Sequence, residues 1–223
     1  MKLVYPGWET PLVWRDGRFP LVVLEEPDYH FRIVQELCAA AGGADTAFVL
    51  SEGERLLDPA RSLEVVPSPW SLVWDSRRIM TALYGRLKKE CLRPELLGPA
   101  QEAAAAAARL AGRAGDCFSF PVVSEAGGDP MALLKALRLR PEPEEGPLAE
   151  QMLAYMTLCT DLLGTACFVF CGFRSCLAED ALRGLYRTAF LKHFHFFLLE
   201  PSCHRIIEAE ERFTVDRDLC QIF

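Results

Sequence analysis

The chain has 223 residues, a formal net charge of −7 and 51% apolar side chains, enough for one large domain, or a domain with a second inserted in it, around a sizeable core. No apolar run reaches the roughly 18 residues that a membrane span needs. Met1-Lys2-Leu3-Val4-Tyr5-Pro6 has no signal-peptide core and soon turns polar, so a soluble, cytoplasmic protein without a membrane partner is expected.

In chain order, Lys2–Tyr5 and Pro11–Trp14 are short strand candidates, with a hairpin turn at Asp16-Gly17. Phe19–Leu24 is an apolar strand, and Pro27 opens a helix whose apolar positions are Phe31, Val34, Leu37 and Cys38, stopped by Gly42-Gly43. Residues 47–50 and 63–66 read as further strands of a wound α/β sheet. Pro67-Ser68-Pro69 breaks that pattern. Ser76 caps a helix through Ile79, Leu83 and Leu87, and six consecutive alanines at 103–108 mark another, read as an arm. A looser stretch, Asp116–Pro130, precedes a short helix at 131–139 and the linker 141–146. Leu148–Leu163 is helical again. Cys167–Cys171 is then a strand buried on both faces, Leu177–Lys192 a helix and Phe194–Leu199 a second buried strand. Strand, helix and strand make a βαβ unit with parallel strands, the centre of the fold. The expected layout is an α/β head, 1–67 plus 146–223, interrupted by a helical domain, 68–145.

Charge and cysteine are unevenly informative. Residues 72–113 carry eight basic and four acidic side chains, whereas 141–161 carry five acids and no base, so the chain is polarised despite its acidic total. The nine cysteines contain no Cys-x-x-Cys pair and read as reduced thiols, not as a disulfide frame or a zinc site.

Candidate chemistry is sparse. Glu25 and Glu200 end buried strands, where magnesium-handling acids sit in nucleotide hydrolases. No Gly-x-x-x-x-Gly-Lys-Ser/Thr occurs, nor any Gly-Lys pair, so capping a helix or binding backbone is the favoured role for both. His193 and His195 alternate on the expected strand and share a face, as do Cys167 and Cys171; packing is favoured over metal binding. Gly-x-Ser-x-Gly is absent. Two features stay open. The helix bearing Arg77, Arg78, Arg86, Lys88 and Lys89 is either a solvated face or a phosphate-binding one. Asp116, Glu125 and Asp129 are either solvated acids or oxygen ligands for calcium, in a spacing that is not an EF-hand.

Several segments, in order, resemble the Csn-two family of CRISPR adaptation proteins from type II-A systems. Residues 68–79 (Ser-Pro-Trp-Ser-Leu-Val-Trp-Asp-Ser-Arg-Arg-Ile) with Leu83-Tyr84 are similar to that family's junction from head to helical domain. Leu133–Leu137 with Arg140 resembles its returning helix. Phe168–Phe170 leading to Arg174-Ser175 and Leu177, the strand ending Leu198-Leu199-Glu200, Asp218–Phe223 and Phe19–Glu25 with Pro27 complete the likeness.

The resemblance implies a P-loop-ATPase-like head without a phosphate loop, an inserted helical leg and no catalytic activity. It further implies calcium-dependent tetrameric rings that thread double-stranded DNA and bind its ends during spacer acquisition, alongside the CRISPR integrase complex and the type II effector nuclease. On it Lys135, Arg140 and Arg174 join the arm cations as candidate DNA contacts. The Asp116–Asp129 stretch is poorer in acids than the family's usual one, and the arm carries Arg where relatives often use Lys. A nucleotide-dependent α/β enzyme and a protein-interaction scaffold are the alternatives.

Overall fold

The structure, a computed structural model, describes residues 1–15, 17–123, 129–202 and 205–222. Its elements run β1 (Lys2–Val4), β2 (Leu12–Val13), β3 (Phe19–Leu24), α1 (Pro27–Ala41), β4 (Val49–Glu52), β5 (Arg55–Leu57), α2 (Pro59–Ser62) and β6 (Leu63–Val66). Three helices follow, α3 (Arg77–Glu90), α4 (Pro94–Gly115) and α5 (Pro130–Ala136). The chain then continues through α6 (Leu148–Leu163), β7 (Cys167–Cys171), a 3-10 turn (Arg174–Cys176), α7 (Glu179–Leu191), β8 (His195–Glu200), β9 (Glu210–Val215) and β10 (Gln221–Ile222). It is an α/β protein.

Two compact units result, Met1–Trp74 with Pro143–Phe223, and Asp75–Glu142. The 67–74 segment belongs to the first unit, anchored at Pro69 and Trp74 while Trp70 is exposed. The Pro69 ring lies against Gly172, and Trp74 meets Tyr155 edge-on at 5.5 Å.

The first unit holds a six-stranded sheet ordered β10-β9-β3-β8-β7-β6, parallel except for β10, and a four-stranded antiparallel sheet ordered β2-β1-β4-β5. β3, β7 and β8 are apolar on both sides because both faces of the large sheet are covered. On one face Val22, Leu24, Val169, Phe197 and Leu199 pack with Ile33 and Leu37 of α1 and with Leu3 and Leu12 of the small sheet. The other face carries Phe170, Phe196 and Leu198 by period-2 alternation, and Tyr186 of α7 stacks there on Phe19 and Phe196 at 4.8 and 5.7 Å. The Tyr155 hydroxyl of α6 donates to Glu64 Oε1 at 2.8 Å, and burial, followed by that carboxylate, pushes the phenol's pKa far up. α6 ends at Gly164, whose φ of +71° is the left-handed conformation a helix stop requires. Truncating a wholly buried ring such as Phe196 costs roughly 3–5 kcal/mol.

Three local expectations change. In α1 the buried residues are Tyr29, Ile33, Leu37 and Ala40, while Phe31 is 62% exposed and Cys38 is exposed. The helix has two overlapping apolar stripes, and the sheet selects the other one. β4 lies in the small antiparallel sheet with Val49 exposed, since a tight turn at Gly53 returns it to β5 instead of a crossover helix. His193 sits at φ +56° in the turn after α7, and β8 begins at His195, so the two imidazoles share no strand face. Among the described cysteines, Cys159, Cys167 and Cys171 are buried, and burial raises the thiol pKa values of Cys167 and Cys171. Asp16, Cys203 and Phe223 lie outside the described residues.

Candidate nucleic-acid interface

The second unit assembles the cationic residues. α3 starts where Ser76 Oγ accepts from the Ile79 amide at 3.3 Å, and Lys88 and Lys89 sit in its last turn, where the helix dipole favours cations. Ile79 is its buried residue; Arg77, Arg86, Lys88 and Lys89 are exposed and Arg78 half-buried. Helical geometry separates these side chains. Arg77, Tyr84 and Lys88, at i, i+7 and i+11, share one face over roughly 16 Å. Arg86 points to the opposite side, and Arg78 and Lys89 lie between.

The face with Tyr84 meets the end of α5. There Asp129 Oδ1 caps the helix by accepting from the Met131 amide at 2.9 Å, and the Tyr84 hydroxyl donates to the Leu139 carbonyl at 3.2 Å. That bond ties α3 to the segment in which Lys135, Arg138 and Arg140 are exposed. Together with Asp75, Met80, Tyr84 and Leu139 they line an open pocket of about 660 Å³. Three cations face one acid, and none of the three has an ion-pair partner among the described residues. Arg138 stands at φ +52°, where glycine is the usual occupant and a longer side chain costs roughly 1–2 kcal/mol. Backbone strain of this kind gathers at functional sites. The sequence reading missed Arg138. The available signal was the density of cations, three within residues 135–140.

Arg174 does not join this group. Its side chain is 7% exposed in the first unit, where Nε donates to Glu210 Oε1 at 2.8 Å and Nη2 to the Arg205 carbonyl at 2.9 Å. Glu210 also accepts from the Tyr186 hydroxyl at 2.9 Å and the Ile207 amide at 2.9 Å. Burial and the adjacent Glu210 push the Tyr186 phenol's pKa well up. An arginine so enclosed holds the core together and presents little surface to a phosphate; the structure places this expected DNA contact in a buried ion pair of the first unit.

The acids fare differently from one another. Glu200 is wholly buried, with Oε1 accepting from the Arg174 amide at 2.7 Å and Oε2 from the Ser175 hydroxyl at 3.0 Å, so it caps the 3-10 turn. At the other strand end the capping falls to Glu26, not Glu25. Its carboxylate takes the Asp28 and Tyr29 amides at 3.2 and 2.5 Å, the helix N-terminus where a phosphate would otherwise bind. Asp116 and Asp129 are exposed, and Glu125 lies outside the described residues. Calcium takes six to eight oxygens. The described residues bring no three acidic, histidine or cysteine side chains together, and one Asp129 oxygen is already a helix cap; they do not by themselves form a calcium cage.

Comparison with curated proteins finds no match. A family profile described as "CRISPR-associated protein (Cas_Csn2)" matches residues 43–219, a span that covers the helical unit, the βαβ centre and β9. The chain therefore belongs to the CRISPR-associated Csn2 family.

Proposed function

We propose that the protein is a non-catalytic DNA-binding ring that engages double-stranded ends during spacer acquisition. The observation that carries this reading is the unpaired cationic cluster of Lys135, Arg138 and Arg140 beside the Arg77–Tyr84–Lys88 face of α3, in a chain of net charge −7. Guanidinium and ammonium groups on a rigid surface neutralise phosphates without reading bases, so binding is independent of sequence. The parallel order β9-β3-β8-β7-β6 suits a P-loop-ATPase-like head, and Glu26 at the α1 N-terminus supports loss of nucleotide binding.

Self-assembly accounts for α4. Of its 22 residues Ala104 is the buried one, and Leu96, Leu97 and Leu110 are exposed, an apolar face suited to other copies in a homotetramer. Calcium, held through Asp116, Glu125 and Asp129, stabilises that assembly in this reading, and the integrase complex and type II effector nuclease are its partners. Replacing Arg138 and Arg140 by Glu should weaken binding of every linear duplex alike and flatten the dependence of log affinity on log salt by roughly 0.9 per lost phosphate contact. Closed circular DNA should not load. Unchanged affinity and slope in the variant refute the surface; equal binding of circles and linear duplex refutes threading.

A further inference from the structure

A second cationic site lies in the first unit. Arg183 and Arg187 stand one turn apart on α7, and Phe190 follows at i+7 on the same side, 49% exposed. Across from them Arg18 is placed by a tight turn in which its amide donates to the Arg15 carbonyl at 3.0 Å and Gly17 takes φ +72°. These residues line an open pocket of about 350 Å³. Its floor is the buried stack of Phe19 on Tyr186, and Tyr186 is held by the Glu210 hydrogen bond, so the floor is rigid. One acid, Glu208, lines it against three arginines. Arg183 makes a loose contact of 3.7 Å with Glu179, while Arg18 and Arg187 have no ion-pair partner among the described residues.

We infer that this pocket binds a nucleoside 5′-monophosphate unit, with the phosphate among Arg18, Arg183 and Arg187 and the base against Phe190. Three arginines lining one concavity offer guanidinium forks that match a phosphate's oxygens better than isolated surface charges do. An exposed ring beside them supplies the stacking face that any base accepts. The volume is that of a small-molecule site and holds one nucleotide, not a peptide helix or a duplex. The unit is either a free nucleotide or the terminal nucleotide of an unpaired strand. The inference does not rest on duplex binding by the helical unit, whose cations are a separate set.

The test is calorimetric titration of the full chain with dAMP, with a 5′-phosphorylated (dT)8 strand, with deoxyadenosine, with inorganic phosphate and with an eight-residue polyglutamate peptide. Wild type should bind dAMP saturably, and deoxyadenosine or phosphate alone at least roughly tenfold more weakly, since each lacks one half of the recognition. Tighter binding of (dT)8 than of dAMP assigns the site to strand ends, and the reverse assigns it to free nucleotide. Arg183→Glu/Arg187→Glu should abolish binding and Phe190→Ala should weaken it roughly tenfold; both variants should keep the wild-type melting temperature and wild-type affinity for blunt linear duplex. Absence of dAMP and (dT)8 binding at millimolar ligand, binding of polyglutamate instead, or equal binding by wild type and the double variant overturns the inference. So does parallel loss of duplex binding in the double variant, which would make the pocket part of the duplex surface.

Discussion

Arg174→Ala separates a structural arginine from a DNA-contacting one. The substitution leaves the Glu210 carboxylate wholly buried, with the Tyr186 hydroxyl and the Ile207 amide as its remaining hydrogen-bond donors among the described residues, and frees the Arg205 carbonyl of its side-chain partner. Removing one member of a buried ion pair costs roughly 3–5 kcal/mol. The surviving hydrogen bonds hold the loss to about 3 kcal/mol, the lower end of that range. In a chain of this size each kcal/mol moves the midpoint by roughly 2–4 °C, so a fall of about 6–12 °C is expected in thermal unfolding followed by circular dichroism. Arg174→Met combined with Glu210→Gln should recover most of it, because no uncompensated charge then remains. The folded variant at 20 °C should bind linear duplex with the wild-type salt slope. A midpoint within roughly 2 °C of wild type, together with a slope lowered by roughly 0.9 per contact, would refute the structural reading and return Arg174 to the DNA surface.

Arg138→Gly should raise the melting midpoint by roughly 2–4 °C, through relief of the left-handed conformation, and weaken duplex binding; a lowered midpoint would show that Arg138 is not strained. Asp129→Ala should destabilise by about 1 kcal/mol even in chelator because it removes the α5 cap, whereas Asp129→Asn keeps the cap and should lower stability in calcium alone; identical behaviour of the Asn variant in both buffers removes Asp129 from the ligand set. Burial lowers the pKa of both His30 and His195. The unfolded chain therefore takes up these protons first as pH falls below about 6.5, and stability present above that pH is lost on the way down to the depressed native values. The midpoint should fall less between pH 7 and pH 5.5 in His30→Gln/His195→Gln than in wild type, and parallel curves would contradict this.

The sequence by itself determined the centre of the fold. Apolar runs at 19–24, 167–171 and 194–199, with a helix between the last two, call for a covered sheet with a parallel pair at its centre, because strands apolar on both sides must be covered on both sides and a crossover helix makes them parallel. Caps were equally legible: Ser76, Pro27 and Gly42 act within a few residues of where they stand. The cations of α3 and of residues 135–140 could be enumerated from composition, but not sorted. Only the tertiary structure decided that Tyr84 draws Lys135, Arg138 and Arg140 to one face of α3 while Arg86 points away, and that Arg174 is enclosed by Glu210. It also chose Ile33 over Phe31 as the buried stripe of α1. The physical reason is range. Helix and strand periods and caps are set by neighbours along the chain, whereas the fate of a charged or half-apolar side chain depends on which distant group it meets: Arg174 and Glu210 are 36 residues apart, Tyr84 and Leu139 are 55.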